Sequence, residues 1–329
     1  MRKIDPHSKI FLDGEINCDD PPSIVSKGKA CMCGIVGLFL KDTSLEPELG
    51  RLTALMLHEM VGRGPDSAGF AVYDAPLETA KITCLSKTGE TDWRALEADL
   101  ERHLNAGVET AIFEDHAILR TAGNGAEARK RIIETVPDVT VLSVGRAIEL
   151  FKGVGDPDAV ANRFGLEKRA GTHAIAHTRM ATESAVVTAG SHPFSTGEDT
   201  CLVHNGSLSN HNRLRETLEK HGETFQTEND SEVAAGYLAW RMREGDDLEA
   251  AIGHALEDLD GFFTFAIGTH DGFAVVRDPI ACKPAVIAET DDWVAMSSEF
   301  RAIAKLPGVD HAEIWEPQPA KVYAWERAA

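Results

Sequence analysis

One short segment constrains the possible fold of this chain more than any other part of the sequence. Residues 31–40 read CMCGIVGLFL, two cysteines around a methionine followed by an unbroken apolar run. A short run of this kind, rich in branched and aromatic side chains, is typical of a buried strand. Cys33 then stands at the start of that strand, directly after Met32, as though a second start lay inside the chain.

This position gives Cys33 two interpretations, which the segment alone leaves open. As the first residue of a mature chain, Cys33 would be a nucleophile whose own α-amine, with a reference pKa of about 7.7–8.0, serves as general base. Initiation at Met32, or removal of a propeptide, would expose that amine. Alternatively, Cys33 is an ordinary buried cysteine. Cys31 and Cys33 lack the spacing and the histidine partners of a metal site, so no metal is predicted.

Composition narrows the classes of function. The chain has 329 residues, enough for one large domain or two small ones, and 43% of them are hydrophobic. The chain has 33 Lys and Arg and 53 Asp and Glu, so its net charge is −20. This negative charge disfavours nucleic acid and anionic membranes as partners. No segment approaches the roughly 18 apolar residues of a membrane span, and the N-terminal residues lack a secretory signal. A cytoplasmic location is therefore expected.

The order of patterns along the chain predicts its organisation. Residues 1–32 are rich in Pro, Asp and Lys, which predicts an extension, a propeptide or an overlong start. A helix is predicted over 46–63, with Leu55 and Met56 on its apolar face. Alternating helical and strand patterns over about 76–165 predict an inserted α/β lobe. Strands early and late in the chain, with helices between them, predict two sheets covered by helices.

A series of motifs in a fixed order gives the sequence a family resemblance. They are MCGIVGLF, RGPDSAG, AHTRMAT, SHPF, VHNGSLSN, NDSEV, GFFTFAI and RDPIACKP. Together they resemble the class II glutamine amidotransferase domain, the N-terminal-nucleophile type found in glutamate synthase, glucosamine-6-phosphate synthase and amidophosphoribosyltransferase. The resemblance covers residues 33–74 and about 170–325, and predicts one such domain over 33–329. It implies an α+β fold, an αββα sandwich of two mostly antiparallel sheets, and hydrolysis of the glutamine side-chain amide.

The resemblance also implies roles for the residues that would act on the amide. Cys33 matches the nucleophile. Asn205 and Gly206 are expected at a sharp turn after the apolar strand CLV. The Asn205 side chain and the Gly206 backbone N–H match the oxyanion hole, although an Asn-Gly pair more often means only a turn. Arg179 matches the residue that holds the glutamine α-carboxylate, a task that suits the two parallel donors of a guanidinium.

Further residues are implied to hold the amino-acid end of glutamine. Asp230 matches the residue that binds the α-ammonium, and a helix cap is the alternative for an Asp in this position. Thr182 is implied to orient the carboxylate, and Met180 to contribute backbone. His177 lies among apolar strand residues and is interpreted as a structural core histidine, with no part as the base.

The resemblance extends to a partner protein. Too few residues follow the last motif for a synthase domain, so the chemistry that consumes ammonia is expected on another polypeptide, unless the chain is a free-standing glutaminase. The chain resembles the glutaminase subunit of glutamate-synthase-like complexes, and among them that of N-methylglutamate synthase (methylamine–glutamate N-methyltransferase). This implies a hetero-oligomer in which the partner subunit carries FMN and an iron–sulfur cluster. No cofactor is predicted on this chain, which has neither a GxGxxG motif after a strand nor a cysteine ladder.

Two other functions are compatible with the same motifs. A structural or regulatory subunit would keep the fold while a blocked Cys33 amine keeps it inactive. A different N-terminal-nucleophile amidohydrolase would act on another amide. The pair of Arg179 and Asp230 argues against this last alternative, because together they would recognise both charged groups of an amino acid.

Overall fold

Two antiparallel β-sheets stacked face to face form the centre of the protein, in a computed structural model that describes residues 33–180 and 186–327. The strands are β1 (Gly34–Leu40), β2 (Ser67–Tyr73), β3 (Ala80–Ser86), β4 (Val108–Phe113), β5 (His116–Thr121), β6 (Val139–Gly145), β7 (Ile148–Val154), β8 (His173–Arg179), β9 (Cys201–Leu208), β10 (Gly261–Gly268), β11 (Gly272–Arg277), β12 (Val286–Glu289), β13 (Trp293–Ser297), β14 (Glu313–Trp315) and β15 (Tyr323–Glu326). The α-helices are α1 (Leu49–His58), α2 (Trp93–Leu104), α3 (Gly125–Thr135), α4 (Pro157–Arg163), α5 (His211–Lys220), α6 (Asp230–Arg243), α7 (Leu248–Asp258) and α8 (Phe300–Ile303). Within the described ranges, no helix is both long and apolar enough to cross a membrane.

The strand order puts β1 near the middle of the larger sheet. Seven strands follow the order β14-β12-β13-β1-β8-β2-β7, and β1 pairs antiparallel with both β13 and β8. The facing sheet has the order β15-β11-β10-β9. Since a central strand is hydrogen-bonded on both edges and covered on both faces, the apolar run that begins after Cys33 is buried along its whole length.

Alternate side chains of β1 enter two different cores. Ile35 and Phe39 are buried between the two sheets, where they join residues of the facing sheet such as Val203. Leu38 points to the opposite face and is buried with Met56 of α1. This alternation is the two-residue period of a strand.

Helices cover the outer face of each sheet. Residues of α1, α4 and α8 complete the core on the seven-stranded sheet. Residues of α5, α6 and α7 complete the core on the four-stranded sheet. The layers are therefore helix, sheet, sheet, helix, which confirms the predicted αββα sandwich.

A third sheet forms a further core with helices of its own, while Leu85 and Leu142 of its strands are buried in the core between the first two sheets. Its order is β4-β5-β3-β6, and α2 and α3 pack on it through buried residues that include Trp93 and Ile132. This sheet spans residues 80–145 and is narrower than the predicted lobe at about 76–165. The strand β7 instead pairs with β2 at the edge of the seven-stranded sheet. A strand pattern indicates which side chains are buried and does not reveal which sheet the strand joins.

The first helix is also shorter than predicted. It runs from Leu49 to His58, and Pro47 lies in a preceding 3₁₀ segment, Thr43–Glu48. Proline disrupts the interior of an α-helix, so the helix begins after it. The prediction for Leu55 was wrong, because its side chain is 38% exposed while Met56, about 100° further round the helix, is fully buried.

Candidate active site

A cavity of about 310 Å³ opens where β1 begins, and Cys33 lies on its wall. The lining residues are Cys33, Arg63, Arg179, Met180, His192, His204, Asn205, Gly206, Asn229, Asp230, Ser231, Lys283 and Pro284. Of the residues predicted from the sequence for this site, only Thr182 is missing from this wall, because residues 181–185 lie outside the described part of the chain. The structure thus brings the other predicted residues together.

Strand pairing places Cys33 beside Arg179. The register of β1 and β8 pairs Gly34 with Thr178, so the next position along each strand sets Cys33 opposite Arg179. The Cys33 Sγ lies 3.9 Å from the backbone oxygen of Met180. Arg179 is only 8% exposed, and its guanidinium borders the cavity. A buried guanidinium in a cavity is suited to bind a carboxylate.

The loop of the RGPDSAG motif supports this end of β1. Arg63 Nε donates to the backbone carbonyl of Cys33 at 3.1 Å, and Arg63 Nη1 forms an ion pair with Glu299. A Cβ at Gly64 would lie 2.5 Å from the carbonyl carbon of Arg179, so only glycine permits this close approach. The sequence analysis gave Arg63 no role, although it is the first residue of a motif that carried the resemblance.

Asn205 and Gly206 lie inside a strand. β9 continues to Leu208, and the neighbouring β10 pairs Asn205 with Thr264, so the predicted sharp turn after the strand is wrong, and so is the alternative that the pair is only a turn. A Cβ at Gly206 would lie 1.9 Å from the Phe262 carbonyl oxygen. A glycine is therefore required where the two strands are this close.

Three polar contacts hold the Asn205 amide next to Cys33. Its Nδ2 donates to the Cys33 carbonyl at 3.0 Å and to Ser298 Oγ at 3.1 Å. Its Oδ1 lies 3.1 Å from His177 Nε2, which is also 3.1 Å from the His204 carbonyl oxygen. Because both neighbours are oxygens, this ring nitrogen is a donor. Burial lowers the pKa of His177 to about 3, so the ring stays neutral and orients the amide.

The helix cap at the start of α6 belongs to Asn229. Its Oδ1 accepts from the backbone N–H of Ser231 at 2.9 Å, so the alternative in which Asp230 is the cap is wrong. The Asp230 carboxylate lies on the cavity wall instead, where Oδ2 accepts from the backbone N–H of Leu208 at 2.9 Å. Its remaining acceptor capacity is available to a ligand.

Ser231 connects Asp230 to two buried histidines. The Ser231 hydroxyl donates to Asp230 Oδ1 at 3.2 Å, and lies 2.9 Å from both His192 Nε2 and His204 Nδ1. Burial holds the pKa of His192 well below its usual value and also lowers that of His204, against the opposing effect of Asp230. Neutral rings at both positions place no positive charge next to the Asp230 carboxylate. The sequence analysis assigned no role to Ser231, although SHPF, VHNGSLSN and NDSEV contain all of these residues.

A buried lysine fixes the segment that carries His192. Lys152 of β7 is 3% exposed, and its Nζ donates to the backbone carbonyls of Ala189, Ser191 and Pro193 at 2.9, 2.8 and 3.3 Å. Burial lowers the pKa of Lys152 to about 7. Three acceptors match the three N–H bonds of an ammonium group, so this contact orders the cavity wall at His192.

Comparisons with known proteins agree with the fold and show the family. The family described as "Glutamine amidotransferase domain" matches residues 177–305. The Glutamine amidotransferase-like protein GlxB of Rhizobium meliloti (strain 1021) is 54% identical over 299 residues, which cover 90% of this chain and 98% of that protein. An amidophosphoribosyltransferase of Archaeoglobus fulgidus is 31% identical over 171 residues, covering 51% of this chain and 37% of that protein.

A solved structure shares the fold. Glutamine phosphoribosylpyrophosphate amidotransferase from B. subtilis, solved with ADP and GMP, superposes with a TM-score of 0.57 and 23% identity. The match covers 89% of this chain and 47% of that one, so this chain spans about half of the longer enzyme. With the likeness to GlxB along nearly its whole length, the chain belongs to the class II glutamine amidotransferase family.

Proposed function

We propose that this chain hydrolyses the side-chain amide of glutamine, giving glutamate and ammonia, as the glutaminase subunit of a larger enzyme. One observation carries the proposal. A single cavity of about 310 Å³ contains a cysteine, a side-chain amide beside it, a guanidinium and a carboxylate. These groups complement the amide, the α-carboxylate and the α-ammonium of glutamine.

Recognition rests on the two charged groups. Arg179 would bind the α-carboxylate through two parallel hydrogen bonds. Asp230 would bind the α-ammonium, since Asn229 caps the helix and Ser231 donates to one carboxylate oxygen only. Met180 and Thr182 would complete the carboxylate end, Met180 through its backbone.

The chemistry proceeds through a thioester. The Cys33 sulfur attacks the side-chain carbonyl carbon, and the negative oxygen that forms is stabilised by the Asn205 Nδ2 group and the Gly206 N–H. The C–N bond breaks as the thiol proton passes through the base to the departing ammonia. Water then cleaves the thioester to glutamate. For this role one N–H of Asn205 turns from its present acceptors, Cys33 O or Ser298 Oγ, towards the oxyanion.

The α-amine of Cys33 is the base that best fits this cavity. His177 is fully buried behind Asn205, and its Nε2 already donates to two oxygens. With a pKa lowered to about 3, it is a weak acceptor for a thiol proton. An amine at Cys33 is adjacent to its own sulfur and has a reference pKa of about 7.7–8.0. The proposal therefore requires removal of residues 1–32.

The ammonia would serve a partner subunit. We propose a glutamate-synthase-like complex, of which N-methylglutamate synthase is an example, in which the partner carries FMN and an iron–sulfur cluster. Support comes from the family membership and from the resemblance of the motifs. Ammonia released in the open is lost by diffusion, which favours a glutaminase that works fully only in its complex.

The test uses a chain that begins at Cys33 and a glutamine analogue with an electrophilic diazoketone in place of the amide. Intact-mass analysis should find one analogue attached, at Cys33, and the chain should form glutamate from glutamine. Cys33→Ser should do neither at a comparable rate. Absence of both labelling and glutamate would favour the alternative of a non-catalytic subunit. Addition of a flavin-containing synthase subunit should raise turnover, and full turnover by an isolated monomer would contradict the subunit proposal.

A further inference from the structure

A second cavity, of about 400 Å³, lies between α3 and the C-terminal half of α6. Its walls share no residue with the first cavity. Arg129 comes from α3, Thr196 from the segment before β9, and Arg243 from the last turn of α6, while Glu223 lies in the loop between α5 and α6. Helices and loops from separate layers of the protein therefore converge on this cavity.

Arg129 is a half-buried cation in this cavity. Its Nη1 donates to the backbone carbonyl of Thr196 at 3.0 Å, and it forms no ion pair with any residue that the structure describes. Burial lowers its pKa, and the carboxylates of Glu223 and Glu232 offset only part of that effect. A partly desolvated guanidinium without a bound anion is costly, and an anion that enters the cavity would remove that cost.

A second polar group on the same wall also lacks a partner. Thr196 is 8% exposed, and no hydrogen bond to its hydroxyl is found within residues 33–180 and 186–327. The opposite wall is different, because Arg243 is paired there with Glu223 and donates from Nη2 to the His221 carbonyl at 3.0 Å. Among the described residues that line this cavity, the buried polar atom without a hydrogen bond is thus the Thr196 hydroxyl, on the side of Arg129.

We propose that this second cavity binds a small anion through a carboxylate or phosphate group, with the Arg129 guanidinium as its charged partner and the Thr196 hydroxyl as a hydrogen-bond donor. A chain with a net charge of −20 repels anions over most of its surface. Anion binding therefore depends on a local cation that is not already ion-paired. Arg129 meets that requirement among the described residues, and a bound anion would have to outcompete the carboxylates of Glu198 and Glu223, which also line the cavity.

Two elements connect this site to the first cavity. The helix α6 begins with Asp230 on the first cavity and ends with Arg243 on the second. The segment between His192 and Thr196 spans the same two walls. A bound anion would contact both elements, so we expect saturation of the site to change the KM for glutamine, an effect that rests on the proposed function.

Calorimetric titration of the full chain with inorganic phosphate and with succinate, at constant ionic strength, tests the binding itself. At least one probe should bind saturably. The variant Arg129→Met should bind it at least about tenfold more weakly, since a charge-assisted hydrogen bond is lost. Arg94→Met, at an exposed position of α2, should bind like the unmodified chain. The titration needs no turnover, so its failure is distinguishable from failure of the glutaminase proposal.

A second variant tests anion binding independently, in case the first variant misfolds. Thr196→Val removes an unsatisfied buried hydroxyl with little change of shape, so it should keep or raise the melting temperature while it weakens anion binding. The proposal is wrong if neither probe binds saturably, or if Arg129→Met and Thr196→Val both bind as well as the unmodified chain. An unchanged KM at saturating anion would refute the coupling to the first cavity and leave the binding site in place.

Discussion

The Asn205 side chain donates a hydrogen bond to the backbone carbonyl of Cys33 at 3.0 Å, although 172 positions separate the two residues in the chain. The contact holds a side-chain amide beside the proposed nucleophile before any substrate is bound. Ser298 Oγ accepts a second hydrogen bond from the same Nδ2 group, and His177 holds the Oδ1 end of the amide. An amide held in this place has to redirect only one N–H, from Cys33 O or Ser298 Oγ, when negative charge develops on the substrate oxygen.

Removal of that donor should therefore slow the chemical step. We expect Asn205→Ala to lower kcat for glutamine hydrolysis by about 10²–10³, the usual effect of losing one oxyanion donor. KM should change much less, because the donor acts on the transition state. Steady-state kinetics give both values. Asn162→Ala, at an exposed position, serves as control, and an unchanged kcat in Asn205→Ala would exclude Asn205 from the oxyanion hole.

Substitution at Arg179 should act on binding. Arg179→Lys keeps the positive charge and loses the paired donors, so the KM for glutamine should rise by about 10–100-fold, the equivalent of one charge-assisted hydrogen bond of roughly 1.5–3 kcal/mol. Arg213→Lys, at an exposed position on α5, should leave KM unchanged. A normal KM in Arg179→Lys would show that another group holds the α-carboxylate.

Ser231 should affect glutamine binding through Asp230. In Ser231→Ala, Asp230 loses one donor and the nitrogens of His192 and His204 lose their shared neighbour. We expect KM to rise about tenfold, the value of a hydrogen bond to a charged group, with a smaller change in kcat. Ser231→Thr retains the hydroxyl and should restore most of the affinity. Equal KM values for the Ala and Thr variants would refute the role of the hydroxyl.

The buried histidines should make stability depend on pH. Burial lowers the pKa of both His173 and His177 to about 3, below the value of about 6.5 expected in the unfolded chain. The unfolded state therefore binds more protons between these values, and the free energy of unfolding falls as pH falls through that range. Each histidine contributes up to about 1.4 kcal/mol per pH unit.

Urea denaturation at a series of pH values between about 7 and 5 measures this slope. His173→Gln should flatten it, because one buried titrating ring is removed far from the first cavity. His311→Gln, at an exposed position, should leave it unchanged. A slope that is the same in His173→Gln and in the unmodified chain would contradict the assignment.

The start of the chain should decide whether Cys33 is active. A chain that begins Met-Cys33-Gly34 should lose its methionine to methionine aminopeptidase, because cysteine is small enough to follow a removable methionine, and should then hydrolyse glutamine. A chain that keeps residues 1–32 should be inactive, since its Cys33 has no free amine. Cys31→Ser should have no effect in the processed enzyme. Intact mass and glutamate formation measured on the same samples test this, and full activity with residues 1–32 attached would refute the amine mechanism.

Many residues of the candidate site could be predicted because they lie in short sequence motifs. Cys33 before an apolar strand, Arg179 at the end of another strand, and Asp230 before a helix were all identifiable by residue type and by order. The sequence could not decide between alternatives, or misplaced a residue, where backbone partners compete for it. Asn229 takes the helix cap in preference to Asp230, and Asn205 stays within a paired strand. Backbone partners elsewhere in the chain decide such competitions.

The sequence by itself determined the elements and the kinds of chemistry available. The apolar run after Cys33 dictates a buried strand, and the ordered motifs dictate the family. Only the tertiary structure decided which side chains meet: Arg63 on the Cys33 carbonyl, Ser231 between two histidines, and Arg129 beside Thr196 in a second cavity. The reason is physical. A local pattern reflects the period of its own helix or strand, whereas a hydrogen bond, an ion pair or a pKa depends on groups that long-range strand pairing and packing bring within a few ångströms.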